Sequence, residues 1–438
     1  MARRFLPIEN PVTLAVDGDA VTAVEDEPVA MALAASGRLV LGRSVKYHRP
    51  RGAVCYSGNC DGCLMRVDGV GSVMTCRVPS RDGMVIETQN VIGSAETDLL
   101  AVTDWFFPEG LDHHTMFTRF RSLNQVMQKV ARRIAGIGTL PDHAHPPVDV
   151  VDRSCDVLVI GGGAAGLIAA AECSARGLSV ILVEESNRFG GSLRSYPGWV
   201  RAEQMKGDAV SIAARLEAEA RKQGAVLDAS HAAIGVYGSV VAVDTSSGLQ
   251  RIALKRLVVA TGAREGASAI AGSDLPGVIH ARGAALLLEG GILPGEDVAL
   301  VGVGSFADAI ETALTEAGGR VAGRWPLDAI ESISGGSQVS SVMVRAHDKA
   351  KRVRCDAVVL APHTTAVYEL AGQAGVPISW QDGRFVVQGS SADGRTDVGS
   401  VRAVGDCTAV KGLDAVVRQA SSAAAQLAQE LAPGLGDT

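Results

Sequence analysis

Two kinds of hydrophobic patterning divide the chain. In the first ninety or so residues the apolar positions come in short alternating or brief apolar runs, Val12 to Val16, Met65 to Val67 and Met84 to Thr88, with Asp17-Gly18, Asp68-Gly69 and Asp82-Gly83 as turn dipeptides. Such runs predict short strands folded back as hairpins, and Ala30 to Gly37 reads as one helix among them. From Cys155 onward the runs become continuous: Asp156-Val157-Leu158-Val159-Ile160, then Gly161-Gly162-Gly163-Ala164-Ala165-Gly166, then a helix from Leu167 to Arg176. A second apolar strand, Ser179 to Val183, ends in Glu184, eighteen residues after Gly166. An uninterrupted apolar strand belongs to a sheet covered on both faces, so this region predicts a parallel α/β fold.

The glycine turn carries the first candidate chemistry. Strand, glycine turn, helix and acidic strand end are together the parts of a dinucleotide-binding βαβ unit. Gly161, Gly163 and Gly166 let the backbone meet a pyrophosphate, whose charge the helix N-terminus favours. Glu184 can accept the hydroxyls of the adenosine ribose. Three later features suit an FAD-type site: Gly190 and Gly191 where the chain passes close to a flavin, Thr261 and Gly262 at the end of the strand Leu257 to Ala263, and Asp406 at the end of the strand beginning at Val401. Asp406 can reach a ribityl or phosphate-proximal hydroxyl, and a helix from Leu413 to Leu431 returns across the sheet.

The alternating N-terminal region holds the second candidate site. Cys55, Cys60, Cys63 and Cys76 are spaced C-x4-C-x2-C-x12-C. Three thiolates on one loop and a fourth from further along the chain suit a 2Fe-2S cluster. Gly52, Gly58 and Gly62 allow the loop to fold tightly and turn amides toward sulfur. Zinc is the main competing metal, but a four-thiolate zinc site usually shows two C-x2-C pairs, and the second pair is missing. Buried structural thiols are the bland alternative. Hairpins around one helix with the cysteine loop between helix and strand predict a β-grasp, ferredoxin-like domain.

Composition narrows the function classes. A net charge of −7 offers no basic field for a phosphate polymer, so nucleic acid is not an expected partner. No run of about 18 apolar residues suggests a membrane span, and no secretion signal is expected, because the first residues lack its apolar core. Cys155, Cys173, Cys355 and Cys407 are scattered among apolar neighbours, unlike a disulfide framework, and a reducing, cytoplasmic setting is expected. Glycine, at 51 of 438 residues, exceeds the usual ~7% and suits close backbone approach to ligands.

Three segments read less simply. Arg43 to Gly52 is the densest basic stretch, suited either to tuning a cluster and meeting a partner's carboxylates or to a solvated loop. Trp105 to Val151, with His113-His114 and a helical Leu123 to Gly136, reads as a connector; adjacent histidines without a third ligand make poor metal donors. The second glycine unit, Gly302-x-Gly304-x-x-Ala307, follows the strand from Val298 and precedes a helix from Asp308 to Ala317, but the next strand, Arg320 to Ala322, leads to Gly323 and Arg324 without an acidic end. Arg324 could meet a phosphate there as in NADP sites, yet a degenerate or structural fold is the favoured reading.

The string from Arg43 to Gly52 and the loop from Asp156 to Gly166 resemble the α subunit of heterotetrameric sarcosine oxidase, and the likeness extends to α subunits of opine, hydroxyproline and proline dehydrogenases. The resemblance implies a 2Fe-2S ferredoxin-like domain fused to an FAD/NAD-binding domain. It implies a hetero-oligomer, with a FAD-containing β subunit that oxidises a secondary or N-methyl amine or imino acid, an FMN at the interface, and further small subunits. Electrons from the partner would then pass through flavin to the cluster. Two departures stand out. The folate-binding half of the sarcosine enzyme's α subunit is not expected here, and that subunit tends to lack the four cysteines, which favours a dehydrogenase over an oxidase. The Gly161 pocket is open to FAD or NAD.

The expected fold is therefore an α+β, β-grasp domain at 1–104, a connector at 105–154, a Rossmann-like flavoprotein domain from 155–282 and 376–438, and a second nucleotide-binding-like domain inserted at 283–375. Two other functions remain open: a self-contained NAD(P)H-dependent flavin/iron-sulfur reductase, and an assembly scaffold with a structural nucleotide. Disulfide reduction is not expected, because no C-x4-C pair follows Glu184.

Overall fold

The computed structural model describes residues 2–44, 49–91, 94–95, 121–134, 148–201, 205–346, 349–410 and 412–431. They fall into two compact units, one drawn from 1–144 and 267–362, the other from 145–266 and 363–438. His113 and His114 lie outside the described residues, as do residues 45–48 of the basic stretch.

In the first unit, five strands are ordered Asp19–Val24, Pro11–Val16, Val85–Glu87, Leu64–Val67, Val70–Met74. Pro11–Val16 pairs in parallel with Val85–Glu87, and the other neighbours are antiparallel. Asp17-Gly18 and Asp68-Gly69 turn their hairpins with φ of 51° and 90°, and 47° and 82°. Paired positive φ values match the right-handed twist of flanking strands, which is why these dipeptides are such direct signals. The helix Val29–Ala35 packs onto this sheet, burying Leu33 with Leu14, Met65 and Ile86. This is the ferredoxin-like module.

The same unit holds a parallel sheet ordered Val278–His280, Ala357–Leu360, Asp297–Val301, Arg320–Trp325, with helices Ala281–Glu289 and Ser305–Glu316. The strand Arg3–Arg4 pairs antiparallel with Ile292–Leu293. One hydrophobic core runs from Leu14, Leu33 and Met65 through to Ile279, Leu287 and Leu300. The module and the inserted fold are thus one body rather than two separate domains, because neither apolar face is closed without the other.

The second unit is built on a sheet in which Val226–Ala229, Val180–Glu184, Val150–Ile160, Gly248–Val259 and Val401–Ala403 are parallel neighbours. Helices Ala164–Ala175 and Leu413–Leu431 cover one face, burying Leu167, Ala420, Ala424 and Leu427 against Leu182, Val258 and Val404. Behind the sheet edge Arg402 is wholly buried and pairs with Glu430, which also meets Arg256 at 3.3 Å.

Boundaries differ from the sequence reading. The inserted fold spans 267–362 instead of 283–375. Val278–His280 is hydrogen-bonded into the inserted sheet, and Thr364–Ala366 pairs with Ala263–Glu265 in the second unit. The connector does not reach 154: Val150–Ile160 is one strand, whose polar start pairs in register with Leu249 to Ala253. Asp152, Arg153 and Ser154 hide that start because backbone pairing, not burial, holds it in the sheet.

Candidate cofactor sites

The dinucleotide cradle is assembled by close backbone approach. A Cβ on Gly166 would overlap the carbonyl of Gly161, and one on Gly161 would overlap that of Ala260. These two glycines are required by the packing of helix Ala164–Ala175 on its strand. Gly163 differs: a Cβ there would meet only the Cα of Gly191, at 3.9 Å. The protein leaves space beside Gly163, which is what a passing pyrophosphate needs. The amides of Ala164, Ala165 and Gly166 open the helix and precede its first internal acceptor bond, from Leu167 N–H to Gly163 at 2.9 Å.

Glu184 is buried at the end of its strand, where Oε2 accepts from the Gly162 amide at 2.6 Å and Oε1 from Ser186 at 2.8 Å. Burial pushes its carboxyl above the usual carboxylate range, while the Ser186 and Gly162 amides pull it back. Gly190 and Gly191 come to the same loop: Gly190 N–H donates to Gly162 at 2.8 Å, its φ of 120° suits glycine, and a Cβ on Gly191 would stand 2.9 Å from the Cα of Gly163. Gly405 N–H donates at 2.8 Å to Gln419, and a Cβ on Gly405 would stand 2.8 Å from that of Ala165. Half-buried Asp406 is thereby placed beside the start of the same helix. Thr261 donates its hydroxyl to Val367 at 2.6 Å, so it pins two chain segments, and Gly262 at φ 70° has open space around its Cα.

Gly162, Phe189 and Gln419 had no role of their own in the sequence reading. A Cβ on Gly162 would lie 2.6 Å from the Phe189 ring, which closes the loop from the side. Gln419 is wholly buried, tied to Gly405 and, through Nε2, to Ser390 at 2.9 Å. Its signal was a lone amide on an otherwise small apolar helix face.

In the ferredoxin-like module the four cysteine sulfurs gather on one loop and the short turn Thr75–Arg77. Cys55 Sγ lies 3.3 Å from Cys60 Sγ, and the Ser57 and Asn59 amides donate to Cys55 at 3.4 and 3.2 Å. Hydrogen bonding with Cys60 and then Cys76 holds the Cys55 thiol far below its ordinary value. A hydrogen bond from Cys76 lowers Cys63 to about 7. The partners in these contacts, Cys60 and Cys76, are raised correspondingly. Cys155, Cys173, Cys355 and Cys407 contrast with them, being pushed by burial to about 11, 12, 11 and 12. Among the described residues no three His, Cys, Asp or Glu side chains are arranged to hold a single metal ion. The four thiols form one connected group, Cys55 meeting both Cys60 and Cys76 and Cys76 also meeting Cys63, and a joined quartet of this kind suits the two irons of a 2Fe-2S cluster. The loop is too tight for side chains: a Cβ on Gly62 would overlap the carbonyl of Gly52.

At the second glycine unit, Arg324 lies on the strand Arg320–Trp325 and turns inward. Its guanidinium donates to Asp308 at 2.6 Å, Glu311 at 3.0 Å and the carbonyls of Gly302 and Gly304 at 3.1 and 3.3 Å. The guanidinium that a phosphate could have used is occupied by the protein's own acceptors.

The family profile of the 2Fe-2S iron-sulfur cluster binding domain matches residues 9–91, and that of the pyridine nucleotide-disulphide oxidoreductases matches 155–321. The alpha subunit of sarcosine oxidase from Rhizobium meliloti (strain 1021) is 26% identical over 463 aligned positions, covering 96% of this chain and 46% of that one. An opine oxidase subunit from Agrobacterium tumefaciens (strain Ach5) is 30% identical over 175 positions, 37% of this chain and 35% of that one. The chain matches members of the sarcosine and opine oxidase α-subunit family. It joins an N-terminal 2Fe-2S domain to an FAD/NAD-type oxidoreductase domain, and it spans about half or less of the length of these curated relatives. In fold it is similar to the crystal structure of L-proline dehydrogenase from P. horikoshii, with a TM-score of 0.76 at 22% identity, covering 98% of this chain and 75% of that one. Among the described residues no helix is long and apolar enough to cross a membrane.

Proposed function

We propose that this oxidoreductase moves electrons between a flavin held at the Gly161 cradle and a 2Fe-2S cluster held by Cys55, Cys60, Cys63 and Cys76. One observation carries the reading: a single chain presents a connected thiol quartet together with a glycine cradle closed by a buried carboxylate. Gly161, Gly163 and Gly166 would admit the pyrophosphate, Glu184 would accept the ribose hydroxyls, and Gly190, Gly191, Gly262 and Asp406 would border the flavin side. Thr261 would act by pinning the turn. When bound, the flavin exchanges electron pairs and the cluster single electrons, so together they convert one into the other.

Two sources of electrons are consistent with this core. A self-contained NAD(P)H-dependent reductase is favoured by the pyridine nucleotide-disulphide oxidoreductase profile, which runs through both glycine units. A relay within a hetero-oligomer is favoured by relatives that are themselves named as subunits of sarcosine and opine oxidases. In that reading a FAD-containing β subunit oxidises a secondary amine or imino acid, an FMN lies at the interface, and the complex works in the cytoplasm. A deciding experiment mixes the anaerobic, cluster-loaded chain with NADH or NADPH and follows visible absorption. Bleaching by the nucleotide alone establishes the reductase; bleaching only with a co-purified flavoprotein and an amine establishes the relay. Material containing neither iron nor adenine nucleotide overturns both.

A further inference from the structure

Residues 51–55, which lead into the first cysteine, run alongside residues 274–283 of the inserted fold. Arg51 pairs with Asp274 at 3.4 Å. A Cβ on Gly52 would lie 3.1 Å from the Cβ of Pro276. The His280 amide donates to the Val54 carbonyl at 2.9 Å. Gly283, in the first turn of helix Ala281–Glu289, faces the Val54 and Cys55 carbonyls so closely that a Cβ would stand 2.9 Å from both.

Glycine inside a helix costs about 1 kcal/mol against alanine, and no turn at 283 calls for it. Its neighbours supply the reason: the missing side chain lets the helix meet the loop backbone. We propose that Gly283, with the His280 amide, is the positioning element for the cluster loop. On this reading the inserted fold serves as the mount that holds Cys55 in register with Cys60, Cys63 and Cys76. The inference rests on the cluster assignment above, and it gives the second nucleotide-like fold a task that needs no second nucleotide.

The test uses the full chain, reconstituted anaerobically with iron and sulfide. Gly283→Ala is expected to speed iron loss to the ferrous chelator bathophenanthroline disulfonate roughly ten-fold, the scale seen when a ligand's support is removed. It should also shift the EPR spectrum and midpoint potential of the reduced cluster while leaving adenine nucleotide content unchanged. A folded variant with wild-type iron release, EPR spectrum and potential overturns the proposal. If Gly283→Ala does not fold, hydrogen exchange on the wild-type chain decides: cluster loading must slow exchange at His280 and along 281–289, and equal exchange in apo and loaded protein overturns it. A wild-type chain that takes up no iron removes the cluster assignment itself, and the proposal falls with it.

Discussion

Glu184 accepts the amide of Gly162 at 2.6 Å, joining the end of one strand to the glycine turn that follows the neighbouring strand. The carboxylate that suits a ribose is therefore already fixed by the loop that suits the pyrophosphate. This double duty gives the first prediction. Replacing Glu184 with Ala removes charged hydrogen bonds of about 1.5–3 kcal/mol and should weaken nucleotide retention roughly 10- to 100-fold, read as FAD remaining after gel filtration.

A pH dependence follows from the same residue. Burial raises its folded carboxyl above the unfolded value, so the folded state binds that proton more tightly. Its contribution to stability is fully present below the ordinary carboxylate value and is lost as pH rises through the raised one. Glu184→Gln should flatten this fall in melting temperature in the nucleotide-free chain. An unchanged slope would show that Glu184 does not titrate in that window.

The two classes of cysteine should separate cleanly. Single Ser substitutions at Cys55, Cys60, Cys63 or Cys76 are expected to abolish the visible and EPR signals of the cluster. Cys173→Ser, at a buried thiol held neutral, should keep full iron content. Loss of iron in Cys173→Ser alone would redirect the ligand assignment.

Arg324 predicts how the second glycine unit treats NADP(H). With Asp308 and Glu311 competing for the guanidinium, a 2′-phosphate gains little from it. The Asp308→Asn, Glu311→Gln double variant should increase discrimination in favour of NADPH over NADH about ten-fold, the effect of one charge-assisted contact. Fluorescence titration of both nucleotides checks this, and equal discrimination before and after would show that the guanidinium never faces the nucleotide.

Arg402 and Glu430 make a stability prediction. Arg402 is 2% exposed in its side chain, so Glu430→Ala strands a buried cation. The expected cost is about 3 kcal/mol, at the low end for a broken buried pair because Glu430 is itself partly exposed. Adding Arg402→Met should recover most of the melting temperature; failure to recover would place the cost in the packing of the C-terminal helix.

Local chemistry was legible in the chain because it repeats at short range. Asp-Gly pairs need positive φ, a continuous apolar strand needs two covered faces, and three thiols on one loop are close by construction, so the β-grasp, the βαβ unit and the loop of Cys55, Cys60 and Cys63 could be read directly, whereas the arrival of Cys76 from the turn Thr75–Arg77 needed the fold. Leu413–Leu431 was readable for the same reason, as a helix of small apolar residues spanning several turns. Contacts between segments far apart in sequence were decided only in three dimensions. The pairing of Arg3–Arg4 with Ile292–Leu293, the closure of Arg324 on Asp308 and the meeting of Gly283 with Val54 and Cys55 carry no local signal. Each depends on where a distant backbone finds its unpaired donors and its uncovered apolar face, and burial, not spacing, settles that.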